Sequence, residues 1–313
     1  MLAFILRRVL AGLALIVVIS FLAFVLLYLA GGDIARRILG ENASAESVAR
    51  RREELGLDAP LLTRYWDWVI SALTGDFGRS WFSGELVTAS VTNRLAVTLS
   101  IVIGATIISA LLSVVLGVWA ARRGGVVDGA IQIFSLVGFA IPGFLIALGL
   151  VLVFGVSLGW FRATGYTPVT TSVTGWLSSV TLPIIALSIG AIASVAQQIR
   201  GSVIDAMSRD YVRTLRSRGL RTDSVVYRHV LRNAAGPALA VLAVQFIGLL
   251  GGAVIVEQVF AIPGMGQLAV RATSLGDLPV VLGVVIAFAV IVIIVNLLID
   301  IAQAALNPKV RLS

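Results

Sequence analysis

Apolar residues gather into six long uncharged runs: Val9–Ala30, Leu95–Ala121, Gly129–Phe161, a run within Ala163–Ile199, Asn233–Val256 and Leu278–Ile299. A helix that crosses a bilayer needs about 20 consecutive apolar residues, and each run supplies them. In lipid the backbone must satisfy its own hydrogen bonds, so these runs predict six helical spans near 9–30, 95–121, 131–157, 177–199, 234–256 and 279–301. The third run is longer than a span requires, and Pro142 inside it predicts a kink. The fourth opens with polar residues from Thr167 to Thr174, so its span is expected to start near Trp176. Arg7 and Arg8 precede the first run, whose 22 residues exceed the 7–15 of a signal-peptide core, so it reads as a retained span.

Between the first two spans lies the one long polar connection, residues 31–94, and it carries helical signals of its own. Ser44 is placed to cap a helix that runs to Leu55, with Gly56 as its stop. After Pro60, Leu62, Trp66, Val69 and Leu73 recur at helical spacing up to Gly75. Trp66, Trp68 and Trp81 suit a helix at a membrane interface, and a small cap with a packed aromatic side explains them equally well. The chain thus divides into an N-terminal region, residues 1–94, made of one span and this small helical outer segment, and a core, residues 95–306.

Composition agrees with a membrane solvent: the 313 residues are 58% hydrophobic and 13% charged, against roughly 25% charged in soluble domains. Of the 24 basic residues 23 are arginine, and their distribution sets an orientation. Arg7, Arg8, Arg122, Arg123, the eight arginines from Arg200 to Arg232, Lys309 and Arg311 all fall on one side, which places both termini in the cytoplasm. Arg162 and Arg271 are alone in the two short connections of the opposite side.

Several chemistries are excluded. There is no cysteine, one histidine (His229) and one lysine (Lys309), so neither a thiolate or imidazole metal cluster nor a Walker A loop exists here. No Asp, Glu, Lys, Arg or His lies within the six uncharged runs. Proton- and ion-coupled carriers usually place such a group in the membrane, so a stand-alone channel or secondary carrier is the weaker alternative. Ser109, Ser113 and Ser135 read as helix-packing residues.

The densest charge, "RDYVRTLRSRGLRTDSVVYRHVLRN" at 209–233, holds seven arginines and two aspartates. Ile204, Met207, Tyr211 and Leu215 form an apolar stripe at spacings of three and four, and Arg209, Arg213 and Arg216 form another face. Gly219 offers a helix stop, Thr222 and Asp223 a second start with Val226, Tyr227, Val230 and Leu231 inward, and Gly236-Pro237 a break or bend before the fifth span. Positive-inside retention against anionic lipid explains the charge alone. A docking knob for a cytoplasmic protein also explains the paired helices and the glycine, whereas no groove-reading module supports nucleic-acid binding.

The stretch "DYVRTLRSRGLRTDSVVYRHVLRNAAGP" resembles the cytoplasmic signature of ABC importer permeases of the dipeptide/oligopeptide/nickel branch. Arg213, Thr214, Leu215 and Gly219 occupy the acid–Ala–Ala…Gly positions of the wider family; Leu215 stands where the peptide branch usually has alanine. "LGLDAPLLTRYWDWVISALTGDFGRSW" (55–81) is similar to the branch's outer segment and "EQVFAIPGMGQLAVRATSLGDLPVV" (257–281) to its last outer loop; "GGDI" and Ala96 depart from the usual prolines. The resemblance implies a type I ABC importer permease fold in a bacterial inner membrane. It implies a second, similar permease, two ATPase subunits that bind the ATP and Mg, and an extracytoplasmic binding protein that delivers cargo. This chain would itself hold no catalytic residue, cofactor or metal. By the same resemblance Asp210, Tyr211, Val212, Arg213, Thr214, Leu215, Arg216 and Gly219 belong to an ATPase-coupling helix within 204–232, with Tyr211 and Leu215 as packed anchors and Arg213 and Arg216 as rim contacts. Glu257, Phe260, Pro263, Gly264, Met265 and Gly266 would form an outer loop that meets the binding protein or covers the pathway. Peptide is the implied cargo, with nickel or another small solute as the alternative.

Overall fold

The computed structural model describes residues 2–30 and 32–306; Lys309, Arg311 and Gly31 of the sequence reading lie outside the described residues. Those residues are helical throughout apart from loops and one isolated bridge between Arg79 and Leu86. The elements are α1 (Leu2–Ala30), α2 (Ile34–Leu39), α3 (Ala45–Glu54), α4 (Leu61–Leu73), α5 (Val87–Arg123), α6 (Gly125–Ala140), α7 (Gly143–Leu150), α8 (Val173–Met207), α9 (Asp210–Ser217), α10 (Thr222–Ser224), α11 (Leu231–Val259), α12 (Met265–Leu275) and α13 (Leu278–Leu306). Two π-helical stretches, Val151–Ser157 and Val225–Val230, continue α7 and join α10 to α11.

Five helical stretches are long and apolar enough to cross a membrane, and α6 with α7 makes a sixth if counted as one span, although the pair bends by 96°. Pro142 explains the bend: the residue before a proline is pushed out of the helical region, and Ile141 is extended at φ −85°, ψ 120°. The expected kink is therefore a full break. At two other prolines the helix continues, since α8 contains Pro183 and α11 contains Pro237. The helix does not break at Gly236-Pro237, and the second helix expected after Gly219 is continuous with the fifth span. Lipid supplies no substitute hydrogen bonds, so a span keeps its remaining ladder even where proline removes one bond. The helices also outrun the uncharged stretches and carry Asp128, Arg200, Glu257 and Asp300 toward their ends.

The chain forms two compact units, one of Thr98–Ile262 with the last helix from Ile294, and a smaller one of Leu2–Val97 with Pro263–Ile293. In the larger unit α8 is the axis: 72% of its apolar window is buried, against 17–44% for the other long helices. Small residues let α5 approach it. A Cβ on Gly117 would lie 2.7 Å from the Ala196 carbonyl oxygen and 2.9 Å from Ile199. The buried hydroxyls of Ser109 and Ser113 donate to the carbonyls of Ser188 and Ile192 at 3.5 and 3.2 Å, so these serines do join helices, while Ser135 bonds within its own helix to Ile131. Gly252 of α11 likewise faces Leu187 of α8.

In the smaller unit Ser44 caps α3 by accepting from the Ser47 amide, and Gly56 (φ +62°) ends that turn as the sequence predicts. The packed side of α4 differs from the expected stripe. Leu62, Trp66 and Leu73 are exposed, and Tyr65 is buried with Leu61, Trp68 and Val69 against Phe21, Phe24 and Leu282. Tyr65 meets the rings of Phe21 and Phe24 edge-on at 5.1 and 5.5 Å, and its hydroxyl donates to the Val17 carbonyl at 3.1 Å. A helix that buries one aromatic edge and exposes another apolar one fits a membrane interface.

The α5–α8 contact yields a matched prediction. Gly117→Ala should lower the unfolding free energy in detergent by about 1–3 kcal/mol through overpacking. Gly129→Ala in α6, where an added Cβ meets nothing within 4 Å, should be neutral or stabilising. Equal thermal midpoints for the two variants would contradict this packing.

Candidate functional site

The basic connection folds as a knob at the end of α8. That helix stops at Met207, Ser208 and Arg209 turn the chain, and α9 restarts at Asp210. The stripe read from Ile204 to Leu215 is therefore split over two helices, and Ile204 is exposed. The residue that seats α9 is Val212, 1% exposed, in one cluster with Val203, Ala206, Val225, Val226 and Val230. Tyr211 and Leu215 pack half-buried against the edge of the same cluster, so their inner sides serve this chain's own fold. Arg213, Thr214 and Arg216 face outward on α9, with Asp210 in its first turn, where an acid complements the helix dipole. Gly219 takes the left-handed conformation (φ +79°) that a residue with a Cβ rarely adopts, and no atom crowds it. Leu220 then bonds back to the Leu215 carbonyl at 3.3 Å, closing the turn.

Polar ties fix the knob to neighbouring helices. Arg122, at the end of α5, donates to Asp223 and to the Tyr227 hydroxyl, and its guanidinium lies 5.5 Å from the Tyr227 ring centre. Asn233 of α11 donates to the Tyr211 hydroxyl at 3.2 Å. Arg200 of α8 pairs with Asp128 of α6, with one of its two bonds at 2.6 Å. Sequence reasoning missed these ties because their partners lie 72 and 101 residues apart in the ion pairs. It placed Tyr227 inward, whereas Tyr227 is exposed and holds Arg122.

The outer-loop residues divide between the units. In the larger one Glu257 belongs to the last turn of α11, is fully buried, and accepts a 2.5 Å hydrogen bond from Thr98 of α5. Phe260 and Ile262 are buried too; the Gly165 amide donates to the Phe260 carbonyl, and Ile262 bonds back to Glu257. Ala261 between them has a positive φ of 48°, so this corner is a shaped turn. In the smaller unit Gly264 precedes α12, and Met265 and Gly266 are buried in its first turn. A cleft of about 450 Å³ opens at the α6–α7 bend between α8 and α11. Gly138, Gly143, Gly190, Gly248 and Gly252 line it with apolar side chains, and Gln245 is its one polar side chain. Among the described residues no cluster of three or more His, Cys, Asp or Glu could hold a metal.

The smaller unit contains a further buried acid. Asp277, at the start of α13, accepts from the Ser80 hydroxyl at 2.5 Å and the Trp81 amide at 3.2 Å. Ser80 also accepts from the amides of Phe82 and Ser83, so one hydroxyl organises the whole turn. Burial raises the Asp277 pKa above the ordinary carboxylate value, and the Ser80 and backbone hydrogen bonds oppose that rise.

The family model described as binding-protein-dependent transport system inner membrane component matches residues 113–312, and the model of the corresponding N-terminal region matches residues 1–102. A probable peptide ABC transporter permease of Sinorhizobium fredii is 36% identical, over 98% of this chain and 99% of its own length. A putative peptide transport system permease of Brucella abortus is 37% identical over 99% of both chains. A glutathione transport system permease of Salmonella typhimurium is 34% identical over the same shares. Among solved structures, an inward-facing form of the MetNI methionine ABC transporter shares the fold, with a TM-score of 0.52 and 17% identity over 69% of this chain and 97% of that one.

The Asp277 site predicts a pH dependence. A carboxyl whose folded pKa is raised loses stability as pH climbs from its unfolded to its folded value, because ionisation then costs more in the folded state. The melting temperature of Asp277→Asn minus that of the unmodified chain should therefore rise across that window. A difference that stays flat or falls would contradict the assignment.

Proposed function

The chain belongs to the binding-protein-dependent transport system inner-membrane component family and is the permease subunit of an ABC importer; from that premise we propose that it carries peptides across a bacterial inner membrane. In this family ATP hydrolysis belongs to separate subunits. The proposed assembly adds a second, similar permease, two ATPases that bind ATP and Mg, and an extracytoplasmic binding protein. Both termini lie in the cytoplasm in this reading, and six spans cross the bilayer with α6 and α7 as one broken span. Residues 95–306 form the permease core, preceded by the N-terminal region of residues 1–94. The excess of arginine on the α9 side of the chain supports that orientation.

The single observation that carries the mechanism is the seating of α9. Val212 locks the helix onto the ends of α8 and α11 and leaves Arg213, Thr214 and Arg216 outward. A soluble ATPase that grips this outward side would move both spans together, because packed interfaces shift between discrete arrangements as rigid bodies. Asp210 to Gly219 is thus the coupling helix. Val212 is its anchor, Tyr211 and Leu215 flank it, and Arg213 and Arg216 are the rim contacts. Glu257 and Phe260 hold the outer end of α11, and Pro263 and Gly264, with Met265 and Gly266 in the first turn of α12 behind them, form the corner that meets the binding protein or covers the pathway.

Cargo class rests on the relatives, whose names give peptide and glutathione transport. The cleft beside α8 supports it. Glycine and apolar walls with one amide, Gln245, set size and shape without demanding a particular side chain, which suits the repeated amide backbone of short peptides.

In proteoliposomes holding the assembled transporter, Leu215→Asp should abolish binding-protein-stimulated peptide uptake while the chain remains membrane-inserted. Removing Pro263–Gly266 should cut the stimulation of ATPase activity by the binding protein and leave basal hydrolysis intact. Full uptake by the first variant would overturn the coupling assignment, and undiminished stimulation in the second would overturn the outer-loop one.

A further inference from the structure

A second cleft, about 460 Å³, lies at the end of α5 in the larger unit, beside the knob, with Met207 and Thr222 also in its lining. Val114, Val115 and Trp119 line one side, and Arg122, Arg123 and Tyr227 stand at its rim. Eight residues separate Val114 from Arg122, roughly 12 Å along a helix axis. When the arginines sit at the level of the lipid headgroups, the apolar wall therefore runs into the hydrocarbon. Val115 and Trp119 are 61% and 50% exposed, so the described residues leave much of that wall uncovered. Trp119 sits one turn inside the arginines, the level at which tryptophan collects in membrane proteins.

The two arginines are not equivalent. Arg122 is oriented by Asp223 and Tyr227, and Asp223 offsets its charge. Arg123 is exposed and, among the described residues, has no acidic partner. The rim therefore presents one fixed guanidinium and one uncompensated, movable charge above an apolar groove.

We propose that this cleft binds an anionic phospholipid, with its phosphate at Arg122 and Arg123 and an acyl chain along Val114, Val115 and Trp119. The proposal rests on the reading of α5 as a membrane span. A soluble protein at the rim would not reach the apolar wall, and a free anion would gain nothing from it; an amphiphile with a negative head uses both. Lipids with a cationic headgroup would set that charge against the unpaired Arg123. Basic pockets between spans on the cytoplasmic side take anionic headgroups for this reason.

The test places the assembled transporter in phosphatidylcholine nanodiscs and replaces part of the lipid with dibrominated phosphatidylglycerol or, at equal mole fraction, dibrominated phosphatidylcholine. The readout is quenching of Trp119, obtained as the difference between the unmodified chain and Trp119→Phe. The anionic lipid should quench more strongly, with an enrichment of roughly fivefold, the preference expected for one basic residue. Arg123→Gln, at an exposed position, should reduce the two lipids to parity without altering transport-coupled ATPase activity. Equal quenching in the unmodified chain would overturn the site. So would a preference indifferent to Arg123→Gln, or one abolished by soluble glycerophosphate, which would mark a free-anion site. No quenching by either lipid would show that a partner chain covers the wall, and would also overturn the proposal; peptide uptake measured in parallel keeps this failure separate from that of the transport function.

Discussion

The close approach of neighbouring helices to α8 is the constraint on which the larger unit depends. No hydrophobic effect draws helices together in lipid, so van der Waals contact and buried hydrogen bonds must do it. α8 supplies both: carbonyls that accept from Ser109 and Ser113, and a surface against which Gly117 leaves no room for a Cβ and Gly252 packs closely on Leu187. Its long buried stretch ends at the knob built around α9. A displacement applied there is thereby delivered to the helix with the largest share of internal contact surface.

The knob follows the same logic on a smaller scale. A helix of eight residues is far too short to be stable alone, and α9 exists because Val212 inserts among valines from the π-helical stretch and the end of α8. The π-helical geometry changes which residues face inward. Val225, Val226 and Val230 are all buried, while Tyr227 turns out to engage Arg122. Arginines then serve two purposes in one segment. Arg122 and Arg200 are fixed by acids and hold helices together, whereas Arg213, Arg216 and Arg123 are exposed.

Much of this was legible in the sequence. The uncharged runs and the Ser44 and Gly56 helix boundaries depend on local composition and local hydrogen bonds; five of the six runs lie in continuous helices of span length, the third is a pair bent by 96°, and both boundaries appear as expected. Other features were not legible, for particular reasons. The helices continue through Pro183 and Pro237 because the membrane environment outweighs the local breaking tendency. The inner side of α4 is set by Phe21 and Phe24, some forty residues away from Tyr65, and the sequence around α4 is apolar on more than one side. Spacing grouped Ile204, Met207, Tyr211 and Leu215 in one stripe, but α8 ends at Met207, and within α9 Val212 sits deepest because the receiving cluster comes from Val203 and Val225 on separate elements. Glu257 was read as a loop residue; its burial in α11 depends on a helix extending one turn beyond the uncharged run and on Thr98 in another helix.

The central claim is that α9 moves as one piece with the ends of α8 and α11. The chain has no cysteine, so spin labels can be placed cleanly at Arg213→Cys on α9 and Arg228→Cys on the π-helical stretch. Distance distributions between them, measured by pulsed electron spin resonance in the assembled transporter, should coincide in nucleotide-free and ATP-trapped states. A shifted or markedly broadened distribution on trapping ATP would show that α9 slides on its seat, and would contradict the account.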